Sequence, residues 1–244
     1  MLEIACFNSQ SAITACKAGA NRIELCADYA AGGITPAPYT LHSIREELDA
    51  WSRTASISEH PNNPRHYRDK MPINIMIRPR GGDFTYSANE FSQMKSAMLM
   101  FASSNAVNGF VFGILTSDNK LDSARNKELV EAASPLPCTF HRAVDEVADL
   151  DAAVETIIDC GFASILTSGG ARSASEGRAR VAELQEKFGV RVSIILGGGV
   201  RSTNALELKN DTRVQWLHSA AITGSDEEVD SQEIEKMVSI LQIA

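Results

Sequence analysis

A chain of 244 residues with 44% hydrophobic and 22% charged residues has an ordinary globular balance, and it is long enough for one large domain. Its formal net charge of −8, with no basic run, argues against a nucleic-acid surface or an anionic-membrane surface. The five cysteines (Cys6, Cys16, Cys26, Cys138 and Cys160) stand at scattered spacings, which predicts reduced thiols rather than a disulfide framework.

The N-terminal MLEIACFNSQ starts directly on a strand-like run, without the charged and apolar regions of a signal peptide. No stretch approaches the length of a membrane span, so a cytoplasmic location is expected, with the nucleus also open to it. Strand-like runs follow at 2–7, 22–27, 72–78, 109–115, 138–143, 164–169, 192–198 and 215–220, with helix-like runs between them and a last helix closing the chain. Eight strands in this length give about 30 residues per unit, the size of one βα repeat. The prediction is an α/β fold, a single-domain (β/α)8 TIM barrel over residues 1–244. The rival doubly wound sheet carries G-x-G-x-x-G after its first strand; none stands there, and no nucleotide cofactor is expected.

Residues 51–71 interrupt the rhythm with a polar stretch holding Pro61 and Pro64. They join the second helix to the third strand and are expected to form a surface loop at the N-terminal face, with His60 and His66 solvated rather than metal-bound. Met94, Met98 and Met100 in the third helix are expected to pack in the core.

In a barrel one parity of each strand faces the helices, and the other fills the interior. Leu2, Ile4 and Cys6 then face outward from strand one. Ile23 and Leu25 do so from strand two, leaving Arg22, Glu24 and Cys26 inside, and strand three turns Asn74, Met76 and Arg78 inward. Thr139 and His141 point in from strand five, as do Trp216 and His218 from strand eight. Glu24, Arg78, His141 and His218 thus gather toward the C-terminal end, where barrel chemistry is built.

The run IMIRPRGGDF (75–84) drives two arginines out of a buried strand, and buried arginine needs a partner. Glu24 is the simplest partner for Arg78, and Asp83 can fold back on Arg80 after the Gly81–Gly82 turn. Alternatively, a guanidinium fork faces the cavity to receive a small anionic ligand, a carboxylate or a phosphate. The glycine-rich turns TSGGARSASEG (167–177) and GGGVRST (197–203) support such a ligand, the second opening a helix at Ser202 or Thr203. Ser168, Gly169, Gly198 and Gly199 are the candidate donors there, joined at the mouth by Arg142, His218 and Ser219. For catalysis, His141 is the candidate general base, oriented by Glu24 or Asp145. No lysine sits at a predicted strand end, so a Schiff-base mechanism lacks its nucleophile.

The motifs RIELCADYAAGGITP, IMIRPRGGDFTYS, GFVFGILT, TFHRAVDE, ILTSGG and HSAA, in order from Leu2 to about Ser219, resemble the CutC copper homeostasis family. The resemblance implies a TIM barrel forming dimers or tetramers, associated with copper tolerance. It also implies Cu(I) bound by two cysteines on the first two strands, at positions that match Cys6 and Cys26. Thiolates are soft ligands suited to Cu(I), although strand parity turns Cys6 outward and Cys26 inward. The chain departs from the family in its longer 51–71 link and in the short AAITGSDEEVD after Ser219, which is expected to leave the pocket more open.

Overall fold

Short runs of β-branched and apolar residues form eight strands: β1 (Leu2–Cys6), β2 (Arg22–Leu25), β3 (Ile73–Met76), β4 (Gly109–Phe112), β5 (Cys138–Phe140), β6 (Ser164–Thr167), β7 (Ser193–Leu196) and β8 (Trp216–Ser219). A computed structural model describes residues 1–54, 71–225 and 227–243 of the chain. Every neighbouring pair of strands is parallel, and β8 returns to β1 through Leu217 and Leu2, so the sheet is a closed barrel. Closure leaves no sheet edge to protect. The (β/α)8 fold is as expected from the sequence.

Helices α1 (Ser9–Lys17), α2 (Pro38–Thr54), α3 (Ala88–Ser103), α4 (Ser123–Ala133), α5 (Leu150–Asp159), α6 (Ala174–Phe188), α7 (Ala205–Thr212) and α8 (Ser231–Ile243) surround it. Their starts are written in the sequence. The side chains of Asn8, Asp122, Asp149 and Ser173 each accept a first-turn N–H, and Ser87 forms a reciprocal capping box with Glu90.

Parity divides the apolar residues as the strand pattern predicts. Leu2, Ile4, Cys6, Ile23, Leu25, Ile73, Ile75, Cys138, Phe140 and Leu217 belong to the large cluster between sheet and helices. Inside the barrel is a separate small cluster of Cys26, Met76 and Val111 with Phe7 against it. Glu3 of β1, Arg22 and Glu24 of β2, Asn74 of β3 and His218 of β8 also take inward positions, and this charged interior is what positions the site.

Several sequence expectations are corrected. The strands end earlier than their apolar runs: β5 stops at Phe140, and His141 caps a short 3-10 turn, Arg142–Glu146. Residues 51–54, expected in a loop, complete α2, and Met71 is buried. The rest of that stretch, with His60 and His66, lies outside the described residues. Met94 and Met98 are core residues, but Met100 is 46% exposed, because it lies on the opposite side of α3. No described helix is long and apolar enough to cross a membrane.

Helix α6 lies so close to the β6 turn that a Cβ on Gly177 would stand 1.7 Å from the Ser168 carbonyl oxygen. Gly177→Ala favours the helix by about 1 kcal/mol in isolation. Here it is expected to lower stability by more than about 2 kcal/mol, because α6 must be pushed off the barrel. Urea unfolding of the two proteins measures the sign.

Candidate functional site

The register brings four charged or titratable side chains together inside the barrel. Glu3 on β1 pairs in register with Arg22 on β2 and His218 on β8, while Glu24 lies one inward position further along β2. Arg22 Nε donates to Glu3 Oε2, and its guanidinium lies 3.9 Å from the centre of the Trp216 ring. His218 Nδ1 stands 2.8 Å from Glu3 Oε1 and 3.4 Å from Glu24 Oε2. Glu3 and Glu24 are 1% and 2% exposed, and Glu24 Oε1 receives no hydrogen bond from any described residue.

Burial and mutual charge push these groups apart. Burial lifts the Glu24 carboxyl, with the Glu3 charge adding to it and His218 opposing, so it rises to about 7. Burial also works against ionised Glu3, but the hydrogen bond to His218 and the charge of Arg22 outweigh it and hold Glu3 below its ordinary value. His218 is depressed by burial, yet Glu24 and Glu3 carry it above the usual imidazole range. Glu3 was not among the sequence candidates. Its signal was its place between outward-facing Leu2 and Ile4, which leaves a carboxylate pointing into the barrel.

The expected Glu24–Arg78 pair does not form. Glu24 is in register with Asn74, so Arg78 lies four residues further along β3, about 13 Å away at strand spacing. Arg78 is instead held by main-chain carbonyls: Nη1 donates to those of Ala31, Gly32 and Gly33, and Nη2 to that of Gly82 at 2.6 Å. Arg80 does pair with Asp83, at 2.9 Å, and also with Glu90 at 2.6 Å. Both arginines are therefore bound within the chain.

Below Arg78 the Phe84 ring stacks, 4.7 Å from the guanidinium carbon and 4.8 Å from the His141 ring centre. His141 is 4% exposed; burial, reinforced by the Arg78 charge, lowers it to about 3, so it is a neutral imidazole. Neither proposed orienting partner touches it. Glu24 faces His218, and Asp145 turns away to the β6 loop, while His141 Nδ1 accepts from the Ala143 N–H.

That loop is filled from within. The Asp145 carboxylate accepts from the Ser168 and Gly170 amides and from the Thr167 and Ser168 hydroxyls, and it pairs with Arg142 at 2.9 Å. The Gly169 amide donates to Thr167. The candidate donors Ser168 and Gly169 are thus already occupied. After β7, α7 begins at Ala205 rather than at Ser202 or Thr203, and the Glu233 carboxylate of α8 takes the Ser202 amide at 2.6 Å and its hydroxyl at 2.7 Å. Ser219 is buried, donating to the Val200 carbonyl at 2.7 Å, so it does not line the mouth. At this side of the mouth three anion donors have no described partner, Arg142 Nη1 and the Gly198 and Gly199 amides; elsewhere Arg78 Nε, Arg22 Nη2 and His141 Nε2 are buried without one. A Cβ on Gly198 would lie 3.3 Å from Arg142 Nη1, and one on Gly197 3.4 Å from the His218 ring, so the three donors adjoin the interior cluster.

Cys6 and Cys26 end neighbouring strands, and the Cys26 amide donates to the Cys6 carbonyl at 2.8 Å. Their side chains enter different apolar clusters, Cys6 toward the helices and Cys26 beside Met76 inside. Burial, and next the Glu24 charge, push both thiols well above their ordinary value.

A closed parallel barrel with helices around it defines a TIM-barrel protein. The CutC family profile matches residues 1–223, and the chain belongs to the CutC family. It is 38% identical over 221 residues to the CutC family protein of Enterobacter sp. (strain 638), covering 91% of this chain and 80% of that one. It is 34% identical over 226 residues to the human copper homeostasis protein cutC homolog, covering 93% and 75%. The crystal structure of CutC from Streptococcus agalactiae superposes with a TM-score of 0.78 at 28% identity, covering 90% of this chain and 98% of that one.

Neutral His141 makes stability depend on pH. The unfolded chain binds its proton below the ordinary 6.5, whereas the folded chain refuses it until about 3. The stability it contributes is therefore complete above 6.5 and falls as pH drops through that window, by about 2 kcal/mol at roughly pH 5. His141→Asn, which keeps an acceptor for the Ala143 amide, should lose less stability between about pH 7.5 and 5 than the wild type in denaturant titrations.

Proposed function

We propose that this chain acts in copper homeostasis, as the name of its human relative states for that protein, and that it takes Cu(I) as cargo. The observation that carries the reading is the sulfur at the C-terminal ends of two neighbouring strands. Cys6 and Cys26 are joined there through one main-chain hydrogen bond, and the Met76 thioether packs beside Cys26. Thiolate and thioether donors are soft and select Cu(I). Cys26 and Met76 share the barrel interior as they stand; recruitment of Cys6 to the same ion requires a turn of its strand end away from the helix layer. Both thiols are protonated at neutral pH because burial raises them, so the ion has to displace protons. Anaerobic competition titration should show one Cu(I) per chain, with affinity rising about tenfold per pH unit for each thiol that ionises. Cys26→Ser should abolish this site and Cys6→Ser weaken it. Binding that survives both substitutions sinks the reading.

A second reading is favoured by the three unused donors at the mouth. Arg142 Nη1 with the Gly198 and Gly199 amides suits the carboxylate or phosphate of a small metabolite, whose other end would reach His218. Glu24, near 7 and with a free oxygen, is then the general base, and Glu3 and Arg22 hold His218 and the second carboxylate in place. Thermal-shift measurements against carboxylated and phosphorylated metabolites provide the test. A stabilising compound should lose at least about tenfold in affinity on Arg142→Gln, the loss of one charge-assisted hydrogen bond. A mouth indifferent to the whole panel, or a hit unaffected by that substitution, refutes it.

A further inference from the structure

We infer that Glu3, Glu24 and His218 form a binding site for a divalent first-row transition-metal ion inside the barrel, separate in chemistry from a sulfur site for Cu(I). The argument begins with distances. The donor atoms of the three residues all lie within 4.8 Å of one another, with His218 Nδ1 at 2.8 Å from Glu3 Oε1 and 3.4 Å from Glu24 Oε2. Nitrogen and oxygen donors bind such ions at about 2.0–2.2 Å, so neighbouring donors around one ion stand about 3–3.5 Å apart. Two of the three separations are thus close to that spacing, and the third is within 4.8 Å, so a small closing movement of the carboxylates completes one face of a coordination shell.

Charge points the same way. With its exchangeable protons removed, the cluster sets two carboxylates, Glu3 and Glu24, against one guanidinium, Arg22, which leaves one negative charge for the ion. The second observation is the Glu24 carboxyl itself. It is 2% exposed, and its Oε1 has no donor among the described residues, a costly state for a buried carboxylate oxygen. An ion chelated by both Glu24 oxygens gives Oε1 a partner, with Oε2 the atom that faces His218.

The surroundings are those of a supported ligand set. Arg22 holds Glu3 by Oε2, leaving Oε1 for the ion, and Trp216 fixes the guanidinium from its face. His218, 12% exposed, is the edge of the cluster that solvent reaches. Two carboxylates and one imidazole are a harder donor set than thiolate and thioether, and suit Zn2+, Mn2+ or Cu2+ rather than Cu(I). Three protein donors also leave coordination positions open, as in metal sites that receive a further ligand. The inference does not rest on the copper(I) reading, and the two can fail separately.

The test is calorimetric titration of the chelator-treated full chain with Zn2+ alone, repeated for Glu24→Gln and His218→Asn. One equivalent should bind to the wild type, and each variant should lose at least about tenfold in affinity, the lower end of what even an outer-shell partner contributes. Circular dichroism checks that each variant is folded, and either variant alone suffices if the other is not. Substitution with Co2+ reads the donor atoms: a spectrum without a thiolate-to-metal charge-transfer band is expected. No Zn2+ binding by the wild type overturns the inference, as does binding that both folded variants keep. A thiolate band assigns the ion to the cysteines and overturns it as well.

Discussion

The ladder between β1 and β8, with Leu2 opposite Leu217 and Glu3 opposite His218, closes the sheet and puts the charged inner face of one strand against that of the other. Once the barrel is closed, every second residue of each strand is committed to the interior, whatever its polarity. The outward parity can be uniformly apolar because it only has to meet helices. The inward parity of β1, β2 and β8 brings two buried glutamates together with an arginine and a histidine that are mostly enclosed. Their pairing then follows from register, and the shifted proton affinities follow from the pairing.

A buried ion cluster of this kind is poor evidence of stability, since apolar residues of similar volume pack at no desolvation cost. Stability alone therefore does not account for its place inside the barrel. The opposite side of the mouth has the contrary character. Arg78 spends its donors on four carbonyls of two loops, and the Phe84 ring lies between it and a neutral His141. There the charge organises loops.

Fold and parity were legible because strand alternation and repeat length are local signals. Ile73 and Ile75 alternating with Asn74 and Met76 already stated which face was which. Pairings between strands were not legible in the same way. They depend on stagger around the barrel, and this is why Glu24 meets His218, almost two hundred residues away, rather than Arg78 on the adjacent strand. The fate of Asp145 and Glu233 was hidden for a related reason: which amides a carboxylate reaches is set by how the loops close, not by nearby residue types. The inward place of Glu3 was readable from its position between outward-facing Leu2 and Ile4.

Asp145 and Glu233 have a further bearing on selectivity. Their carboxylates sit at the amides after β6 and β7, where barrels of this class commonly seat a phosphate. The chain carries its own permanent competitors at those amides. Abundant phosphorylated compounds meet a mouth whose strongest anion seats are taken from the moment of folding. What stays open on that side of the mouth is Arg142 Nη1 with the Gly198 and Gly199 amides.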